Sequence, residues 1–182
     1  MNRLELIAAL RDYQTTFFEE QGFVSQFLEL LNHERCYYRD HLPGHMTASA
    51  WIVNPANTHA LLTHHAKLNR WLQPGGHADG DENILSVALK EAREETGLDV
   101  SLARKDIFDI DIHPIPARSD FPLHLHFDIR FAFVANDRVS LQITAESHDL
   151  KWVGLQEVAA ISQNNLSIRR MVQKTLLTAD QQ

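Results

Sequence analysis

The chain has 182 residues, 44% hydrophobic and 23% charged, a balance that excludes disorder and a length that allows one well-buried core but not two ordinary ones. A formal net charge of −7, with 11 histidines counted as neutral, excludes a surface that gathers nucleic-acid phosphates in bulk. Cys36 is the single cysteine, so an intrachain disulfide is excluded and a reducing, cytoplasmic setting is expected.

Taken in chain order, the stretch from Arg3 to Arg11 is too brief and too charged for a signal peptide or a membrane span. Leu4 to His33 has helical patterning, with Phe23, Phe27 and Leu31 recurring every fourth residue and Gly22 predicting a break between two helices. Pro43-Gly44 is a turn signal, which divides a helical extension at 1–42 from a main domain at 43–182. Strands are predicted at Thr47–Val53 and Ala60–His64, joined as a hairpin by Asn54-Pro55-Ala56-Asn57. Trp71–Gln73 then extends into Pro74-Gly75-Gly76.

Ile84, Leu85, Ala88, Leu89 and Ala92 give one apolar helix face, with Asp81 or Asn83 as N-cap and Gly97 just past the end. Strands follow at Ile107–Ile112, Leu123–Val134 and Leu150–Val153, a closing helix at Ser167–Leu177, and a loose tail at Thr178–Gln182. This order is neither a run of βαβ units nor all β. It predicts the α+β class, a mixed sheet with helices packed on it in an α/β/α sandwich.

On the central helix Glu91, Glu94 and Glu95 stand at i, i+3 and i+4, so three carboxylates share one side at a cost of a few tenths of a kcal/mol per like-charge pair. Lys90 and Arg93 offset that cost on a plain solvated surface. Hard divalent cations, which prefer oxygen ligands, offset it in a metal site. The glycines ahead of the helix favour the second reading, because they let backbone approach a ligand with no side chain in the way.

Residues Gly76 to Leu98, with Glu82, Lys90-Glu91-Ala92-Arg93-Glu94-Glu95-Thr96-Gly97-Leu98 at matching intervals, resemble the Nudix box, the signature of the Nudix hydrolases. Lys90 stands where that pattern has arginine, keeping the charge but losing the planar fork that orients the glutamates. The resemblance implies a Nudix-type sandwich that cleaves the pyrophosphate bond of a nucleoside diphosphate linked to another group. It implies Mg2+ or Mn2+ held by Glu91, Glu94, Glu95 and the Gly76 carbonyl, an outer role for Glu82, and a catalytic base drawn from the same glutamates. A further acidic ligand falls at Glu146, or at Asp149. Two other readings are a nucleotide or metabolite sensor that has lost the chemistry, and an isoprenoid-diphosphate isomerase, which would call on a cysteine.

His124, His126 and Asp128 alternate along a predicted strand and so share a face, and Arg130 extends that row. Together with His77 they are candidates for lining a substrate cleft, Arg130 as a fork for phosphate. A transition-metal site is the alternative for the histidines. The expected partner is a small nucleotide-type molecule, with no membrane and no bulk nucleic acid. The amphipathic N-terminal helices leave a homo-oligomer open.

Overall fold

The computed structural model describes residues 1–179. It contains α1 (Arg3–Arg11), α2 (Phe18–Leu30), β1 (Gly44–Val53), β2 (His59–His65), β3 (Arg70–Leu72), β4 (Gly75–His77), α3 (Ile84–Thr96), β5 (Ser101–Leu102), β6 (Asp109–Ile115), β7 (His124–Val134), β8 (Ser147–Gly154), α4 (Val158–Ile161) and α5 (Leu166–Ala179).

One mixed sheet of eight strands organises the chain. Its spine is the parallel pair β1 and β7, in register from Gly44 opposite Leu125 to Val53 opposite Val134. The far edge of β1 is shared: β4 pairs antiparallel with Thr47 to Ser49, and β2 joins at Val53 and carries β3 and β8. On the other side β7 takes β6 and, at its end, β5. The hairpin between β1 and β2 forms where predicted, closed by the Asn54 side chain accepting from the Thr58 and His59 N–H groups.

Alternation along β1 and β7 sorts residues onto two covered faces. Met46, Ala48, Ala50, Ile52, Ile129, Phe131 and Phe133 pack with Leu6, Leu10, Phe27, Ile84, Ala88 and Ala92 from α1, α2 and α3. Trp51, Val53, Ala132, Leu62 and Val153 pack with Val158, Ile168 and Met171 from α4 and α5. Helices on both faces make this the expected α+β sandwich. With both faces covered, β1 is buried along its whole length.

Several boundaries differ from expectation for local reasons. The break between the first two helices falls at 12–17, not at Gly22, which lies inside α2 with open space where a side chain would stand. The Thr15 hydroxyl accepts the Phe17 N–H there, a local turn that stops one helix before the next begins. Strand β6 runs past the expected stop at Ile112 and through Pro114, because it pairs with β7 alone among the described strands and an edge position tolerates a missing N–H. Asn165 caps α5 by accepting from the Ser167 and Ile168 N–H groups, and the helix continues through Thr178 and Ala179 of the expected loose tail. The remaining tail positions, 180–182, lie outside the described residues.

Beneath α5 the second face holds a buried ionic network. Arg130 donates to Asp128 at 2.7 Å and to Asp109 and Asp111 at 3.1 Å. Arg170 bonds Asp109, Asp111 and the Ile110 carbonyl, and Lys174 reaches Asp109 and Glu20 of α2. Four elements are thus tied by charge-assisted bonds in a place where water is excluded.

Candidate active site

Helix α3 begins at Asn83, whose side chain accepts the Ser86 N–H, and ends at Gly97, whose φ of 70° is the left-handed cap that a side chain would strain. Its apolar face lies against β1, which aims one edge at β4 and the glycine turn.

Glu91 and Glu95, one helical turn apart, face that turn. Glu95 is 7% exposed and its Oε1 accepts the Gly75 N–H at 2.9 Å. A Cβ on Gly76 would lie 2.6 to 2.9 Å from the Glu91 carboxyl group, so glycine is what allows helix and turn to approach this closely. Burial drives the Glu95 carboxyl up to about 7 despite the Gly75 N–H, with the charges of Glu91 and Glu146 adding to the rise. Burial also raises Glu91; Lys90 opposes that, and Glu94 and Glu146 reinforce it. Uncompensated negative charge therefore gathers at one spot, the condition that a divalent cation relieves.

The remaining predicted ligands separate. Glu94 points to solvent and pairs with Lys90 at 3.7 Å, both side chains being more than half exposed. Lys90 thus meets the outer glutamate and not the two that face the turn. Glu146, on the exposed loop before β8, is close enough for its charge to act on Glu91 and Glu95. Glu82 is turned away: it binds Arg3 of α1 at 2.8 Å, and the same guanidinium donates to the carbonyls of Leu31, His33 and Glu34. It ties the N-terminal helices to the start of the box.

Arg130 corrects the sequence expectation. It is 2% exposed and committed to three aspartates, so it is neither a cleft residue nor a surface pair, and a phosphate has no access to it. Asp128 is likewise taken up by Arg130, Thr47 and Ser49. His77, His124 and His126 do come together, joined by His45 of β1 and by His113 of β6. Burial lowers His77 to about 4 and His126 to about 2, with neighbouring positive charge adding to both, and burial lowers His45. These three are neutral imidazoles at neutral pH.

Sequence reasoning missed His45 and the partners of Arg130. It also passed over Arg39, which pairs with Asp79 and acts electrostatically on Glu91 and His77. The alternation in Asp109-Ile110-Asp111-Ile112 was the available signal for an inward acidic row opposite Arg130. Cys36 is fully buried, and burial pushes its thiol up to about 11. No helix among the described residues is long and apolar enough to cross a membrane.

Comparison with known proteins places this geometry. A mouse (Mus musculus) bis(5'-nucleosyl)-tetraphosphatase [asymmetrical] is 31% identical over 97 residues, 53% of this chain and 63% of that protein. The zebrafish (Danio rerio) m7GpppN-mRNA hydrolase NUDT17 is 42% identical over 57 residues, 29% of this chain and 19% of that protein. The matched stretches therefore span less than two thirds of these relatives' own lengths. Among solved structures, a C. elegans Ap4A hydrolase binary complex superposes with a TM-score of 0.62 at 17% identity, covering 75% of this chain and 98% of that one. A MutT protein from Methanosarcina mazei gives 0.57 at 19% identity, covering 75% and 96%. At these identities the structures establish likeness of fold. The family model described as NUDIX domain matches residues 43–175, most of the chain, and on that match the chain belongs to the NUDIX family.

Proposed function

We propose that the chain is a metal-dependent pyrophosphohydrolase that cleaves the phosphoanhydride bond of a nucleoside diphosphate linked to another group. The observation that carries this reading is the pairing of Glu91 and Glu95 with the Gly75-Gly76 turn, an all-oxygen cradle with excess negative charge. Glu91, Glu95 and the Gly76 carbonyl would hold Mg2+ or Mn2+, with Glu146 adding a carboxylate from its loop and Glu94 free to join only by leaving Lys90. When bound, such cations neutralise phosphate oxygens and acidify the attacking water.

The chain's own groups supply the rest. The Gly75 N–H fixes the Glu95 carboxylate so that one oxygen stays free to face the site. The base is assigned to this pair of glutamates, the two carboxylates that face the turn. His77, His124 and His126 lie across the sheet from the glutamates, so the hydrolytic site is proposed without them.

Among substrates of this kind, dinucleoside polyphosphates are proposed first, because the mouse relative's name and the C. elegans fold neighbour both point to that class. A small-molecule substrate and a reducing, cytoplasmic setting are supported by the net charge of −7 and the lone buried Cys36. The same buried thiol argues against an isomerase that needs a reactive cysteine. The helical segment at 1–42 is read as an extension packed onto the 43–182 domain.

The test is a panel of dinucleoside polyphosphates, nucleotide sugars, ADP-ribose and oxidised nucleoside triphosphates, incubated with the enzyme and Mg2+ or Mn2+, with products identified by mass. Faster turnover of dinucleoside polyphosphates than of the others supports the substrate class. Binding without turnover of any compound would overturn the hydrolase reading in favour of a sensor.

A further inference from the structure

Strand β4 has two sides, and only one belongs to the glutamate site. Gly76 faces α3 and Glu91, whereas its neighbour His77 projects to the opposite face of the sheet. There the registers align three strands: His113 of β6 stands opposite His126 of β7, and His126 opposite His45 of β1. His77 enters the same space beside Thr47, with its ring centroid 4.8 Å from that of His126 and 5.2 Å from that of His45.

We propose that His45, His77 and His126 form a second metal site, selective for a borderline transition ion of the Zn2+ class. One ring nitrogen from each lies within 4.8 Å of the other two. Movements of about 1 Å or less would bring all three to the 2.0–2.1 Å of a Zn–N bond. The Nε2 of His45 is buried and has no hydrogen-bond partner among the described residues, an arrangement that costs about 1–3 kcal/mol until something engages it. Its Nδ1 meets the His41 carbonyl at 3.4 Å, which leaves Nε2 as the nitrogen free to ligate.

Outer groups are in place as well. His124 flanks the site with its Nδ1 held by the Pro122 carbonyl and its Nε2 3.3 Å from that of His126. His113 is oriented by Asp111 at 3.0 Å. Imidazole nitrogen suits Zn2+, Co2+, Ni2+ or Cu2+, while the carboxylate site on the other side suits Mg2+ or Mn2+. A metal here would pin β1, β4 and β7 together directly behind the glycine turn.

The experiment uses the full chain without added histidines, stripped with chelator and titrated with Co2+ and Zn2+ in excess Mg2+. Binding is followed by the visible absorption of Co2+ and by elemental analysis after gel filtration. One transition ion per chain is expected in the wild type and in a Glu91→Gln/Glu95→Gln double variant, with Zn2+ raising the melting temperature in both. His126→Ala and His45→Ala should weaken that binding at least about tenfold. His77→Gln, at a partly buried position, gives a third variant, and circular dichroism verifies that each is folded. Absence of binding in the wild type, loss of binding in the double glutamate variant, or unchanged binding in all folded histidine variants would overturn the proposal. Because the glutamate variant is expected to bind, the result is independent of whether the hydrolase reading holds.

Discussion

Glu95 accepts the Gly75 N–H at 2.9 Å, so the last buried carboxylate of α3 is anchored to a residue nine positions before the helix begins at Ile84. Gly76 beside it leaves room only for hydrogen against Glu91. In Gly76→Ala the added methyl must displace the Glu91 carboxyl, which is the movable end of a flexible side chain. The melting temperature should therefore change little. The Mg2+ concentration for half-maximal activity should rise at least about tenfold, the size of effect seen when a ligand's support is lost. A metal titration of the two proteins checks this.

The raised carboxyl of Glu95 has a pH signature. Folded and metal-free it titrates near 7, against 4.5 for a free glutamate. Between those values the folded chain holds a proton that the unfolded chain has released, so this contribution is complete below about 4.5 and is lost as pH rises through about 7. Thermal melts in chelator, wild type minus Glu95→Gln, should show stability declining across that window. Added Mg2+ should reverse the decline, since it binds the deprotonated form. A difference curve that is flat or rising without metal would contradict the assignment.

The ionic network beneath α5 is predicted to carry stability and not catalysis. Burial alone would raise Asp109 and Asp111, but Arg130 and Arg170 outweigh it and hold both carboxyls below the usual range. Arg130→Met removes the cation shared by three aspartates and leaves the buried Asp128 without its cationic partner, which should cost about 3–5 kcal/mol. Activity per folded molecule should remain within a few-fold of wild type. Urea melts paired with turnover measurements separate the two, and a folded, stable but inactive Arg130→Met would return this residue to the active site.

Gly22 lies within α2 with no atom near its missing side chain. Gly22→Ala should stabilise the chain by about 0.5–1 kcal/mol by reducing the freedom of the unfolded state and improving helix propensity. Chemical denaturation of the two proteins is the check.

Local periodicity made the helices and the glutamate spacing legible, because each is written within one or two turns of chain. Strand partnership was not. Ala48-Ser49-Ala50 is made of small residues buried on both faces, and nothing in it says which strand lies beside it, so the parallel pairing with β7 and the arrival of His45 at His126 could not be read. Arg130 looked available for the same reason: two of its three neutralising partners, Asp109 and Asp111, sit on β6, some twenty residues earlier. The division of roles among Glu91, Glu94 and Glu95 needed the position of β4, since helix spacing alone puts all three on one side.

The central claim, that Glu91 and Glu95 hold catalytic cations against the Gly75-Gly76 turn, is tested most directly by hydrolysis of the best panel substrate with Mg2+ by wild type, Glu91→Gln and Glu95→Gln. The account predicts folded variants whose turnover falls by at least about a hundredfold, the scale of losing a principal electrostatic group. Equal turnover in wild type and both variants, or full wild-type activity in chelator, would contradict it.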